Sequence, residues 1–154
     1  QMSEKNITPS KLKRFKSYFK FDNCTYPSTE NLYQALKNKN FNNRFVFLKV
    51  NPFEAKKLGR QIRRNDIIFG WDVSRLVAME ICIDLKFNLY NHLAEKLINT
   101  PDEDIVEWNT WGDTFWGKDL NTLEGADNLG KILRAKKFEL INTIQTIQTI
   151  QEKL

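Results

Sequence analysis

The 154-residue chain has two cysteines, one histidine, six glycines and four prolines, and each scarcity excludes something. Cys24 and Cys82 stand far apart with no CxxC or Cys/His cluster, which argues against a zinc site and for free thiols in a reducing compartment. No apolar run approaches the ~20 residues that cross a bilayer, and no signal-peptide pattern is present. A cytoplasmic protein with no membrane partner is therefore expected. The shortage of Gly and Pro beside four Trp and eleven Phe disfavours a turn-rich β sandwich and favours helices with aromatic packing. There is no glycine fingerprint for nucleotides, no P-loop, no Ser/His/Asp triad and no metal-ligand cluster. No cofactor and no metal are expected.

What is present suits a folded globule. Hydrophobic residues make up 41% of the chain, and its length is that of one domain. The excess of Lys and Arg gives a net charge of +5, which fits a phosphate-bearing ligand, a nucleic acid or plain solubility. The stretch Tyr26–Lys37, YPSTENLYQALK, reads as a turn and a helix, with Pro27 fixing the approach and Ser28 or Thr29 as cap. At about 100° per residue, Glu30, Gln34, Lys37 and Phe41 share one stripe and Leu32, Ala35 and Leu36 the other. From periodicity alone, such a polar stripe is ordinarily a solvated face.

Ahead of this helix, residues 1–13 read as a loose polar segment, and RFKSYFKF (14–21) as a short strand or an extended arm whose interleaved aromatic and basic residues suit a nucleic acid. Phe45–Val50 is a compact apolar run, either a strand or the lead-in to a helix. Asn51 caps a helix with Pro52 first and Glu54 completing a capping box. In it Ala55, Leu58, Gly59 and Ile62 face the core, while Lys56, Arg60 and Arg63 or Arg64 form a basic stripe. Asp72 caps a third helix opened by Trp71, with Leu76, Met79, Ile83 and Phe87 buried and Lys86 near its end. Asn88 restarts a fourth helix that stops before Pro101 and holds His92, an ordinary helical residue. Ile105–Trp108 reads as a strand. A glycine-punctuated loop of about twenty residues follows, a length that is usually functional or disordered; its aromatics and Asp113 argue for function. Asn128 caps the last helix. Its TIQTIQTIQ tail drifts about 60° per Ile and reads as a helical extension over 141–154, a possible contact for a partner subunit.

The carboxylates Glu30 and Asp113, helix-end lysines, an arginine and Trp faces suit cleavage of a bond from sugar to base. That bond breaks through an oxocarbenium-like state which a carboxylate stabilises while an acid protonates the leaving group. A lysine of lowered pKa can instead attack the open-chain aldehyde of ribose. The chain resembles the NADAR, or YbiA-like, family of N-glycoside hydrolases through YPSTENLYQALK (26–37), AKKLGR (55–60), Trp71, Met79–Phe87, IVE (105–107), D-x-x-WG (Asp113–Gly117) and G-x-x-NLGKIL (Gly125–Leu133), in the family's order. The resemblance implies a mainly helical α+β fold with a few short strands, one compact domain over 14–140, and hydrolysis of an N-glycosidic bond to ribose.

Carried over, Glu30, Lys37 and Asp113 would be catalytic, with Lys56 and Lys86 as rivals to Lys37. Gln34, Lys56, Arg60, Trp71, Lys86, Trp116, Gly117 and Asn128 would bind substrate, Arg60 meeting phosphate and Trp71 or Trp116 stacking on the base. The chain departs from the pattern at Asn31, where relatives often have His. It also departs in a longer loop from Trp116 to Asn128, with the glycine run reduced to Gly117 and Gly125, and at Leu133-Arg134. The resemblance implies a phosphorylated ribose-containing substrate. ADP-ribosyl-guanine in DNA or a nucleotide is expected first and ribosylamino-pyrimidine phosphates of riboflavin synthesis second, with a non-catalytic ADP-ribose-binding module as the other class.

Overall fold

The computed structural model describes residues 20, 21 and 23–154; the segment expected over 1–13 and most of the 14–21 arm lie outside them. The described chain is mainly helical with a few two-residue strands, as expected. It forms two units, one ending at Leu89 and one beginning at Tyr90.

In the first unit, β1 (Lys20–Phe21) and β2 (Cys24–Thr25) pair antiparallel around Asn23 at φ 58°. Helix α1 (Thr29–Leu36) is capped by Ser28, whose Oγ accepts from Asn31 N at 3.1 Å. Its apolar side, Leu32, Ala35 and Leu36, is buried as its period predicts. The helix ends earlier than the stripe to Phe41 requires. Asn38 Nδ2 turns back to the carbonyls of Gln34 and Ala35, and Asn40 caps a 3-10 segment, Phe41–Leu48. Asparagine side chains compete with the backbone in this way. Phe41 thus leaves the Glu30 row, and the 45–50 run is neither a strand nor an α-helical lead-in.

Asn31 is fully buried. Its Nδ2 donates to Phe47 O and Val50 O, each at 2.8 Å, and its Oδ1 accepts from Ser28 Oγ. The residue therefore ties the 3-10 segment to α1. Asn31→Ala would strand two buried carbonyls and is expected to cost about 2 kcal/mol or more, read as a lower urea midpoint; a midpoint equal to the parent's would refute the tie.

Helix α2 (Pro52–Gln61) begins with the expected capping box between Asn51 and Glu54. Ala55 and Gly59 are buried, with Leu58 and Ile62 packed on the same core. A 3-10 turn, Arg64–Asp66, follows. Helix α3 (Trp71–Leu89) starts directly after Gly70 at φ 72°, so Asp72 lies in the first turn and is not the cap. Its core-facing row is Trp71, Ala78, Ile81, Cys82 and Leu85, while Leu76, Met79, Ile83 and Phe87 remain half-buried. Small Ala78 and Cys82 allow close approach to α1, against which both α2 and α3 pack.

In the second unit, the helix break falls at Tyr90, whose extended backbone precedes α4 (Asn91–Ile98); α3 runs through Asn88. Ile105–Glu107 is not a strand because other groups satisfy its backbone. Arg134 donates to Ile105 O and Glu107 N donates to Asp127 Oδ1. The strand is β3 (Trp108–Asn109), parallel to β4 (Lys118–Asp119). Helix α5 (Asn128–Lys153) opens from Asp127 at φ 50°. Asn128 is not its cap, for its Nδ2 donates to Phe115 O at 2.9 Å. The helix runs on through the tail, exposing Ile144, Ile147 and Ile150. Among the described residues, no helix is long and apolar enough to cross a membrane.

Candidate active site

One turn apart on α1, Glu30 Oε1 accepts a hydrogen bond from Gln34 Nε2 at 2.8 Å. A further turn on, Lys37 Nζ donates to Gly59 O on α2 at 2.9 Å. The polar stripe therefore does not point uniformly into water. Gln34 is buried and Glu30 and Lys37 are half-buried. Burial lowers the Lys37 pKa below that of a free lysine, because desolvation penalises the ammonium.

A second side chain senses this row. Burial pushes the Cys82 thiol up to about 12, and the Glu30 carboxylate adds to the push. Cys82 Sγ reaches Thr29 O at 3.5 Å. The thiol is held protonated and is not a nucleophile at neutral pH. Trp71 meets Tyr33 of α1, ring centroids 5.5 Å apart and tilted by 51°.

Gly59 explains how α2 comes so near. A Cβ there would lie 1.8 Å from Gln34 Oε1. Gly59→Ala should displace the amide that steadies Glu30 and cost about 1–3 kcal/mol by overpacking. The expected result is a lower Tm with a loss of turnover that Gln34→Ala does not compound. Additive losses would place the effect of Gly59 elsewhere.

Lys56 and Arg60 lie on the exposed side of α2, four residues apart and thus on one face. Lys86 lies fifteen residues beyond Trp71 on α3, roughly 22 Å along the axis. A concavity of about 310 Å³ is lined by Arg63, Arg64, Asn65 and Asp66. It does not include Glu30. Glu30 and Gln34 are hydrogen-bonded, and Lys37, its pKa lowered by burial, follows on the same polar stripe with its amine on Gly59 O.

Asp113, Trp116, Gly117 and Asn128 form a group of their own in the second unit. Asp113 Oδ1 accepts from Phe115 N at 3.1 Å and Trp116 N at 2.9 Å, while Asn109 bonds to its backbone on both sides. One carboxylate oxygen thus builds the turn that carries Trp116, whose ring meets Phe115 edge-on at 4.8 Å. Gly117 is buried, and only glycine fits there, because a Cβ would lie 2.0 Å from Glu107 O. Asp119 likewise holds Gly112, Asn121 and Thr122 through their amides. Two carboxylates thus hold much of this long loop through its backbone amides. The sequence reading missed Tyr33, the Gly59 carbonyl and Asp119. Only the D-x-x-W spacing, which suits an Asx turn, signalled any of this.

The chain is mainly helical, and an acid–amide–amine row along one helix is tied through its lysine to the glycine carbonyl of a second. The NADAR domain model matches residues 1–141, spanning both units, and the chain belongs to the NADAR family. It is similar to the chloroplastic riboflavin biosynthesis protein PYRR of Zea mays, 28% identical over 85% of this chain and 22% of that one. It is also similar to an N-glycosidase of Nostoc punctiforme, 33% identical over 64% of this chain and 62% of that one. The chain thus spans less than two thirds of the length of either relative. The NMR structure of the E. coli protein YbiA matches at a TM-score of 0.68 and 25% identity, over 83% of this chain and 74% of that one.

Proposed function

We propose that this protein is an N-glycoside hydrolase that cleaves the bond between a ribose carbon and a base nitrogen. The observation that carries the reading is the half-buried Glu30, held by Gln34 on the helix whose Lys37 has a lowered pKa. The similarity to a protein named N-glycosidase supports it. In the reaction the C1′–N bond breaks, its electrons leave with the base, and water oxygen bonds to C1′. Glu30 stabilises the positive charge on the sugar and accepts the proton of the incoming water, and the departing base nitrogen gains a proton.

Lys37 serves as a ribose contact or, in its neutral form, as an amine that adds to the C1′=N carbon of the ring-opened glycoside. The C1′–base bond then breaks with its electrons going to the protonated base nitrogen, and water hydrolyses the Lys37–C1′ imine to free the sugar and the amine. Trp71 offers a face to the base. Arg60, with Lys56 beside it, suits phosphate as a planar donor fork. Gly117 and Asn128, with Asp113, Trp116 and the rival Lys86, have their part in the reaction from the family resemblance alone. Two free buried thiols suit a cytoplasmic setting.

ADP-ribosyl-guanine is the first substrate we propose, on the strength of the net charge of +5 and the exposed basic stripe of Lys56 and Arg60. The likeness to a riboflavin biosynthesis protein favours a second, a ribosylamino-pyrimidine phosphate. Incubation with each in turn, followed by mass spectrometry, tests both. Release of ribose phosphate or ADP-ribose from one of them is expected; measurable binding with release from neither would replace the hydrolase with a binding module.

A further inference from the structure

The polar ties of helix α5 to the rest of its unit end at Lys137, whose Nζ donates to Thr100 O at 2.8 Å and to Asp102 Oδ1 at 2.7 Å. Among the described residues, none from Phe138 onward has a hydrogen bond, ion pair or ring contact outside α5. Every residue from Asn142 to Leu154 is exposed, a length of about 20 Å of helix. Ile144, Ile147 and Ile150 are each about half exposed, at 45%, 50% and 54%.

This stretch is poorly suited to standing alone in water. Thr and Ile, weak helix formers, fill six of the eight positions from Thr143 to Ile150, and no charged pair braces them. Thr143, Thr146 and Thr149 each donate their hydroxyl to the carbonyl four residues back, at 2.9 Å, so these groups are satisfied within the helix. What sustains a helix of such composition is burial of a face, not propensity.

The pattern of that face says what covers it. Leu140, Ile144, Ile147 and Gln151 are spaced four, three and four residues apart, the alternation by which one helix meets another along a narrow seam. The row reads the same from either end, about a midpoint between Ile144 and Ile147. An antiparallel copy therefore sets Ile144 on Ile147 of the other chain and Leu140 on its Gln151, with Ile141 and Ile150 flanking the row. No residue from Leu140 to Gln151 is charged, although the chain as a whole carries +5. Two copies meet along this stretch without mutual repulsion, and the antiparallel sense keeps their basic residues Lys131, Arg134, Lys136 and Lys137 apart.

We propose that the Leu140–Ile144–Ile147–Gln151 face of α5 binds the same face of a second copy of this chain, the helices antiparallel about a twofold axis between Ile144 and Ile147. The family match ends at residue 141, so nearly all of this surface lies beyond the part of the chain that the family shares, and the pairing does not depend on the hydrolase reading. A lipid surface is the poorer occupant, because interfacial helices carry Lys or Arg on their polar face and this stretch has Gln and Thr there. A charged partner would find nothing to pair with. Contact over so short a length falls below the ~800 Å² a side of a standard interface, so the association is weak and concentration-dependent.

Sedimentation equilibrium of the full chain from about 1 μM to 1 mM, the span in which weak complexes dissociate, tests this. A reversible monomer–dimer equilibrium is expected, and added salt should not weaken it. Ile144→Ala/Ile147→Ala, which keeps strong helix formers in place, should raise the dissociation constant about tenfold or more. Gln151→Leu should lower it, since the polar residue on the row is gone. Oxidation of a mixture of Leu140→Cys and Gln151→Cys should give the mixed disulfide and neither variant alone a dimer; native Cys24 and Cys82 are buried and do not compete. A monomer at every concentration, an alanine variant that pairs like the parent, or pairing that salt weakens would overturn the proposal. So would Leu140→Cys crosslinking to itself, which makes the pair parallel, or parent bound to phosphatidylcholine vesicles while still monomeric, which puts the face on lipid.

Discussion

Glu30→Gln is expected to lower kcat by about 10²–10⁴-fold, the range a positioned acid–base group supplies, while the thermal transition stays near that of the parent. The substitution is nearly isosteric, and a Gln oxygen can still accept from Gln34 Nε2, so the 2.8 Å hydrogen bond need not be lost. What disappears is the negative charge that meets the developing oxocarbenium ion. KM should move little, because a neutral ribose ring in the ground state gains small benefit from that charge. Cys82 supplies an internal control. Its thiol is raised to about 12 first by burial and then by Glu30, so the charge-free variant should titrate Cys82 below the parent yet above a free thiol. A kcat within tenfold of the parent, with that thiol shift present, would remove Glu30 from catalysis while showing that its charge was gone.

The parts of this fold that were legible in the sequence are those settled by neighbours in the chain. The Asn51–Glu54 capping box and the Ser28 cap each need only four consecutive residues and formed as read. The buried row Leu32, Ala35 and Leu36 follows from period alone. The misread boundaries are those decided at a distance. Ile105–Glu107 has a strand composition, but Arg134 and Asp127 reach it from the start of α5 and satisfy its backbone. Asn128 has a cap's identity, yet its amide holds Phe115 and a left-handed Asp127 opens the helix. The helix of Glu30 was visible, and so was its polar stripe. That Gly59 admits Gln34 and that its carbonyl receives Lys37 depends on two helices meeting, which no local pattern encodes. Contact geometry shows why the row is not simply a wet face.

Lys37→Met is expected to reduce kcat/KM by about 10²-fold or more and to remove one limb of the pH profile. Met keeps the unbranched stem but loses the ammonium that donates to Gly59 O. Burial lowers the pKa of Lys37 from 10.5, so a larger fraction of it is neutral at a given pH than of a surface lysine. If the neutral amine attacks the ring-opened sugar, kcat/KM rises with pH up to the lowered pKa and then levels, and Lys37→Met loses that rise. The same shift has a stability consequence of known sign. Between the folded pKa and 10.5 the unfolded chain binds the extra proton, so stability from this group increases with pH through that window and is lowest below it. Lys37→Met should abolish the increase. Borohydride added during turnover should label Lys37 only when substrate is present. Lys37→Arg keeps a cation without a nucleophile and separates the two roles, since parental activity there would make the residue a ribose contact. An unchanged pH limb in Lys37→Met, or no adduct on any lysine, would end the covalent route and leave hydrolysis to Glu30 and water.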